Sequence, residues 1–268
     1  MSLRFITNSA AVLTEQEHAS YNALSATNPC CQFLHYFQAT QADSAEQKNS
    51  VYRLRHKVYC EELHFEPVKA GSLEQDAFDY RSVHIAVNHI ASNTIAGTVR
   101  IVTSAGSDEL LPIERYFANQ LTDSAFAPNN FDRQQVCEIS RLAVPAEIRC
   151  ASSLNSNALT PERECGKLVA ISLYLIAQIL CLRDDRIHAY VMIEPVLARV
   201  LRRVGINFMQ IGKPIEFNGI RAPYYLDART ISATLKPDYL QLLTLLEQQL
   251  LHKPQRARPQ LELCYSAS

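Results

Sequence analysis

Along this chain the spacing of apolar positions switches between about two and about 3.6 residues, and each switch marks an element. Residues 33–37 (Phe-Leu-His-Tyr-Phe) alternate and predict a first strand. Asp43-Ser-Ala-Glu-Gln then opens a helix with an acid in its first turn, running to Leu63 with Val51, Leu54, Val58 and Tyr59 on or near one face. Residues 83–89 and 95–102 read as an antiparallel strand pair, and 110–117 as a short amphipathic turn or helix. The stretch 136–144, closed by Pro145, is a strand whose alternation fails between Ile139 and Leu142, as a β-bulge would make it. Residues 166–181 are apolar nearly all round and predict a central buried helix. A strand over 186–193, a helix over 196–204 stopped by Gly205, a strand pair over 208–212 and 222–227 around Asn218-Gly219, and a helix over 239–251 complete the pattern. A short helix over 14–24 is the weakest element. The order predicts an α/β fold with a mixed sheet over 31–236, an extension over 1–30, and a C-terminal helix with a polar tail over 237–268.

Composition narrows the class. With 268 residues the chain can bury a large core, and a net charge of −1 argues against a nucleic-acid binder that works by bulk charge. The eight cysteines show no CxxC spacing, so neither a zinc site nor a disulfide framework is expected, and reduced thiols in a cytoplasmic, soluble protein fit. No metal site and no tightly bound cofactor are expected. The first residues lack a secretion signal, and the most apolar run, 168–182, includes Tyr174 and Gln178 and reads as a buried helix, not a membrane span.

The chemistry-bearing positions are few. Glu138, Ser140 and Arg141 interrupt an apolar strand, where an unpaired charge is costly to bury. Glu74, Asp76 and Asp79 cluster in the loop over 69–81, and Arg55 and Arg100 lie on elements flanking it. These charges either serve a reaction or form a structural network that fixes the loop against the sheet. Cys137 reads as a small buried hydrophobe, and His84 and His89 as strand packing or an exposed strand face. Lys167, Arg199, Arg202, Arg203 and Lys213 form a basic set on and around the later helices, either a docking surface for an acidic partner or a solvated face.

Four stretches, in this order, resemble the acyl-homoserine lactone synthases and the related N-acyl amino acid synthases: Arg55-His-Lys-Val-Tyr59, Glu74-Gln-Asp-Ala-Phe-Asp79, Gly97-Thr-Val-Arg100 with Leu111-Pro112, and Glu138-Ile-Ser-Arg141. The resemblance covers about residues 34–227 and implies the GNAT acyltransferase fold, a mixed, mostly antiparallel central sheet flanked by helices. Residues 54–62 and the late 214–227 look most like the acyltransferases associated with the PEP-CTERM/exosortase system. The resemblance implies transfer of a fatty acyl chain from acyl-carrier protein to an amine.

Two departures matter. Homoserine-lactone synthases typically carry a Trp shortly after the Arg-x-x-Val-Phe element, in the region that holds S-adenosylmethionine. This chain has no Trp, and His64-Phe65 stands there, which favours an amino acid as acceptor. Ordinary GNAT enzymes grip the coenzyme A diphosphate with Arg/Gln-x-x-Gly-x-Gly/Ala. Here Arg163-Glu-Cys-Gly166-Lys167-Leu168 keeps only the first half, enough for one phosphate of a phosphopantetheine arm at a helix N-terminus, which favours acyl-carrier protein as donor.

Amide formation from a thioester needs a base to take a proton from the amine and donors for the oxyanion. Glu138 is the first candidate base and Glu74 the second, with Arg141 beside them. Arg55, Tyr59, Asp76, Asp79, Arg100 and Ser140 are expected to bind substrate, and Arg163, Gly166, Lys167, Arg202 and Arg203 the carrier protein and its arm. An acyl-homoserine lactone synthase using S-adenosylmethionine and a non-catalytic carrier-protein or lipid-binding module are the alternatives.

Overall fold

In the computed structural model, which describes residues 27–117, 121, 125–149 and 161–251, the chain opens with helix α1 (Pro29–Tyr36) and strand β1 (Phe37–Gln41). The expected strand over 33–37 is therefore mostly helix. Asn28 caps it by accepting a hydrogen bond from the Cys30 N–H, and Pro29 occupies the first turn. Phe33 and Phe37, four residues apart, stack with centroids 5.1 Å apart, so the alternation was one face of a turn. The segment 14–24 lies outside the described residues.

Helix α2 (Ala45–His56) begins with a capping box between Ser44 and Gln47, then continues as a π-helix over Lys57–Glu62. The wider turn is local to the segment that carries Tyr59, a pattern frequent at functional sites. Strands β2 (Ser82–His89) and β3 (Thr94–Thr103) form the expected antiparallel pair. Helix α3 (Pro112–Tyr116) precedes β4 (Val136–Ala143), which runs antiparallel to β3. The predicted buried helix over 166–181 is the long α6 (Val169–Arg183), preceded by the short helices α4 (Ala146–Arg149) and α5 (Pro161–Gly166), the second of which ends at Gly166. Strand β5 (His188–Ile193), helix α7 (Pro195–Val204), short strands β6 (Met209–Gln210) and β7 (Ile215–Glu216), and strand β8 (Ile220–Asp227) follow, before α8 (Ile231–Thr234) and α9 (Pro237–Leu251).

The sheet order is β1-β2-β3-β4-β5-β8-β6, with β7 paired to β8, and only β4 and β5 are parallel. One core layer packs α6 against the sheet, with Val169, Leu173 and Ile176 fully buried, and Leu242, Leu243 and Leu246 of α9 join it. Gly97 on β3 permits this approach: a Cβ there would lie 2.8 Å from Val169 Cγ1. Gly205 ends α7 in the left-handed region (φ 106°) as its position in the pattern predicts. Two irregularities meet at β4. Arg100 pairs with Ser140 and Thr98 with Ala143, so β4 carries one extra residue at Arg141–Leu142, and Arg141 itself has φ 51°. This is the bulge expected from the broken alternation. Beyond Glu138, β4 no longer pairs with β5, and the two parallel strands part.

Candidate active site

The opening between β4 and β5 holds the site. A cleft of about 260 Å³ is lined by Ser140, Arg141 and Leu142 of β4, Met192 and Ile193 of β5, and Tyr59, Tyr174 and Arg221 around them. A smaller pocket of about 40 Å³ shares Tyr59, Phe65, Ser140, Arg141, Met192 and Arg221 with it and reaches Glu138. The walls have mixed character: aromatic and aliphatic side chains face the guanidinium groups of Arg141 and Arg221 and the carboxyls of Glu66, Glu138 and Glu194.

Glu138 is fully buried, with one oxygen, Oε2, accepting a 2.6 Å hydrogen bond from the Ile113 N–H and the other, Oε1, without a partner. Burial pushes its carboxyl up to about 8 against the ordinary 4.5. The Ile113 N–H and the charges of Arg100 and Arg141 pull it down, but by less. A carboxyl with one open lone pair and a pKa in this range is suited to taking and returning a proton near neutral pH. It owes its place to the short α3, whose first-turn N–H fixes one oxygen, and to β4, which aims the side chain into the gap.

The charged loop is organised as one network around the bulge. Arg55 is wholly buried and lies 2.5 Å from Glu74 Oε2 and 2.7 Å from Asp79 Oδ1. Arg100 Nη1 donates to Asp76 (2.6 Å) and Asp79 (2.9 Å), and its Nε to Ser140 Oγ (3.2 Å). Arg141 pairs with Glu66 (3.1 Å), Asp76 (3.2 Å) and Glu74 (3.3 Å). For Asp79, burial alone would raise the carboxyl, but the bonds and charge of Arg55 and then Arg100 outweigh it and hold it well below the usual carboxylate range. Asp76 moves the same way, with Arg100 overcoming burial. Four carboxylates against three guanidiniums leave little of this charge free.

This geometry sorts the sequence-predicted residues. Tyr59, Ser140, Arg141 and Glu138 line the pocket. Tyr59 donates its hydroxyl to the Leu142 carbonyl at 2.7 Å, which anchors the π-helix to the bulge. Arg55, Glu74, Asp76, Asp79 and Arg100 line neither cavity. The donors of Arg55 and Arg100 already meet carboxylates or Ser140 inside the fold, which places both in the network behind the pocket. Glu74 has Arg55 on one oxygen and Arg141 on the other, which sets it behind Glu138 as a base. Arg202 and Arg203 are exposed on α7, the helix that brings Leu197 to the cleft mouth. Arg163, Gly166 and Lys167 line neither cavity. Gly166 ends α5 instead of opening the long helix, and Lys167 pairs with Glu164 at 2.6 Å.

Sequence reasoning passed over Arg221, Phe65 and Met192 as site residues. Arg221 carried the one available signal, a cation two residues after Gly219 at the start of an apolar strand.

Residues 54–156 match the family model described as acetyltransferase (GNAT) domain. With the splayed parallel pair in a mostly antiparallel sheet, this makes the fold GNAT-like and the protein an N-acyltransferase. Among relatives, an acyl-homoserine-lactone synthase of Aeromonas hydrophila is 24% identical over 197 residues, which span 72% of this chain and 86% of the relative. Among solved structures, TofI, in a ternary complex with an inhibitor and MTA, is similar with a TM-score of 0.55 and 17% identity over 80% of this chain and 99% of its own. FeeM, an N-acyl amino acid synthase from uncultured soil microbes, has a TM-score of 0.53 and 14% identity over 76% of this chain and 96% of its own.

Proposed function

We propose that the protein moves a fatty acyl chain from the phosphopantetheine thioester of an acyl-carrier protein to the amino group of an amino acid. The observation that carries this reading is Glu138: a buried carboxyl with a free oxygen, pushed up to about 8, at the point where β4 and β5 part. In the proposed reaction the amine nitrogen bonds to the thioester carbonyl carbon and Glu138 takes the amine proton. The tetrahedral oxyanion is held by backbone N–H groups of the bulged segment, and its collapse breaks the C–S bond, with the proton passing to the departing thiolate. No covalent enzyme intermediate is required. The acyl chain lies against the apolar side of the cleft, Ile139, Tyr174, Met192, Ile193 and Leu197.

Two features support an amino acid acceptor and a carrier-protein donor. Phe65, not a Trp, lines the pocket where the homoserine-lactone pattern has its Trp, and the chain lacks the second half of the diphosphate-gripping motif. The relative from Aeromonas hydrophila favours a second reading in which S-adenosylmethionine is the acceptor and a homoserine lactone the product. Association with a PEP-CTERM/exosortase system rests on residues 54–62 and 214–227 alone.

Mass spectrometry of lipid extracts from cells expressing the chain, beside a Glu138→Gln variant, separates the readings. N-acyl amino acids present with the natural chain and absent with the variant are the expected outcome. Homoserine lactones instead would establish the second reading. Folded protein that acylates no amine when supplied with acylated carrier protein would overturn both and leave a carrier-protein or lipid-binding module.

A further inference from the structure

Of the arginines that line the cleft, one has no carboxylate. Arg141 is committed to Glu66, Glu74 and Asp76, and Arg55 and Arg100 behind it to Glu74, Asp76 and Asp79. Arg221 makes no ion pair among the described residues. Its Nε donates a long 3.4 Å hydrogen bond to the Asn218 carbonyl, and its guanidinium sits 5.6 Å from the centre of the Phe65 ring. Both Nη groups are left without a protein acceptor among the described residues. The side chain is half-buried and borders the large cleft and the small pocket alike. Its position is set by a tight hairpin: Ile215 pairs with Arg221, and the turn between β7 and β8 passes through Asn218 (φ 50°) and Gly219 (φ 88°).

We propose that Arg221 is the carboxylate anchor of the acceptor pocket, so that the acceptor is an amine bearing a carboxylate on the adjacent carbon. The planar fork of two free Nη groups matches a carboxylate in two parallel hydrogen bonds, and stacking on Phe65 holds that fork at a fixed orientation. At another point of the same small pocket lies the unpartnered Oε1 of Glu138. A cation and a proton acceptor in one pocket complement the two ends of an α-amino acid. Anchoring the carboxylate restricts the amine, one carbon away, to the side of the pocket from which Glu138 takes its proton. Arg141 offers no such fork, because its Nε and Nη2 already meet Glu74, Glu66 and Asp76. The inference rests on the N-acyltransferase reading for its reaction, but the binding it describes does not need turnover. Free amino acids and S-adenosylmethionine both carry this group, so the site itself admits either.

The test compares Arg221→Met and Arg221→Lys with the natural chain, using an acylated carrier protein as donor. Acceptors are the proteinogenic amino acids, S-adenosylmethionine, and for each amino acid its carboxamide. Loss of a charge-assisted pair corresponds to roughly a 10- to 100-fold rise in KM for the carboxylate acceptor in Arg221→Met. The natural chain prefers the carboxylate over the carboxamide, and the Met variant loses that preference, with Arg221→Lys in between. The class of acceptor that shows the effect identifies its source. Equal use of acid and carboxamide by the natural chain, or an unchanged preference in a Met variant of unchanged Tm, would overturn the proposal. Thermal shift of the natural chain by amino acid against carboxamide gives the same answer if the Met variant does not fold. Should no amine be acylated at all, the reaction reading fails. A carboxylate-dependent thermal shift abolished in a folded Arg221→Met variant would still support the anchor, and no such shift would overturn it as well.

Discussion

At the scale of single residues the protein keeps two kinds of buried charge, and their pKa shifts run in opposite directions. Asp79 and Asp76 meet guanidinium groups, which outweigh the burial that would raise them and hold them low. Glu138 has one N–H partner and an empty second oxygen, and burial raises it. The pH consequences have opposite sign. The Asp79 and Asp76 contribution to stability is present above the ordinary aspartate value and is lost as pH falls through the lowered folded values. Between the unfolded carboxyl's 4.5 and about 8, native Glu138 keeps a proton that the unfolded chain has released, so its contribution falls as pH rises through that window. Glu138→Gln is expected to remove this second slope from a series of chemical denaturations at pH 5 to 9. In turnover, kcat/KM is expected to climb along a limb near pH 8, while Glu138→Gln loses about 10²- to 10⁴-fold and that limb together. A pH–rate profile of both proteins checks it; an unchanged limb in the variant would assign the proton to another group.

Among the elements, the two departures from regularity define the pocket. The extra residue at Arg141–Leu142 turns β4 out of register, and the π-helix over Lys57–Glu62 places the Tyr59 hydroxyl on the Leu142 carbonyl. A left-handed φ at a non-glycine residue costs on the order of 1–2 kcal/mol, and the ion pairs of Arg141 hold it in that conformation. Gly205 has a different reason for its positive φ. A Cβ there would lie 2.2 Å from the Thr234 carbonyl, backbone that Thr234 Oγ1 further ties to Gly205 through a 2.7 Å hydrogen bond. Gly205→Ala therefore combines dihedral strain with a backbone clash and is expected to cost at least about 2 kcal/mol. Urea denaturation would read that as a lowered midpoint with an unchanged m-value. A loss under about 0.5 kcal/mol would mean that α7 and α8 part easily.

For the molecule as a whole, the parted β4 and β5 open a cleft whose mouth carries α7. That helix shows solvent Val196, Leu197 and Val200 beside Arg199, Arg202 and Arg203. A basic rim with apolar side chains would be complementary to the acidic carrier protein of the proposed reaction. Arg202→Glu with Arg203→Glu is expected to raise KM for acylated carrier protein roughly tenfold or more at low salt. The gap between variant and natural protein should narrow toward 0.5 M salt, where charges separated by more than about 4–5 Å are screened. Steady-state kinetics across a salt series decides this; equal KM values at low salt would remove α7 from the docking surface.

The pattern of apolar spacing determined most elements from the sequence alone: β2, β3, the bulged β4, β5, α7 with its Gly205 stop, and the Asn218-Gly219 turn. These are governed by local chemistry, a period, a cap or a turn residue. The same local logic misread residues 33–37, because Phe33 and Phe37 satisfy a strand's alternation and a helix's four-residue spacing equally, and the Asn28 cap upstream decided between them. The motifs brought Glu138, Ser140, Arg141 and Tyr59 to notice, yet sequence spacing could not say which charges face one another. Only the tertiary structure decided that Arg55 and Arg100 meet carboxylates within the protein while Arg221, inside the late stretch 214–227, meets none among the described residues. Burial and pairing are properties of the assembled neighbours, and a side chain's charge becomes available to a substrate only when no neighbour has already met it.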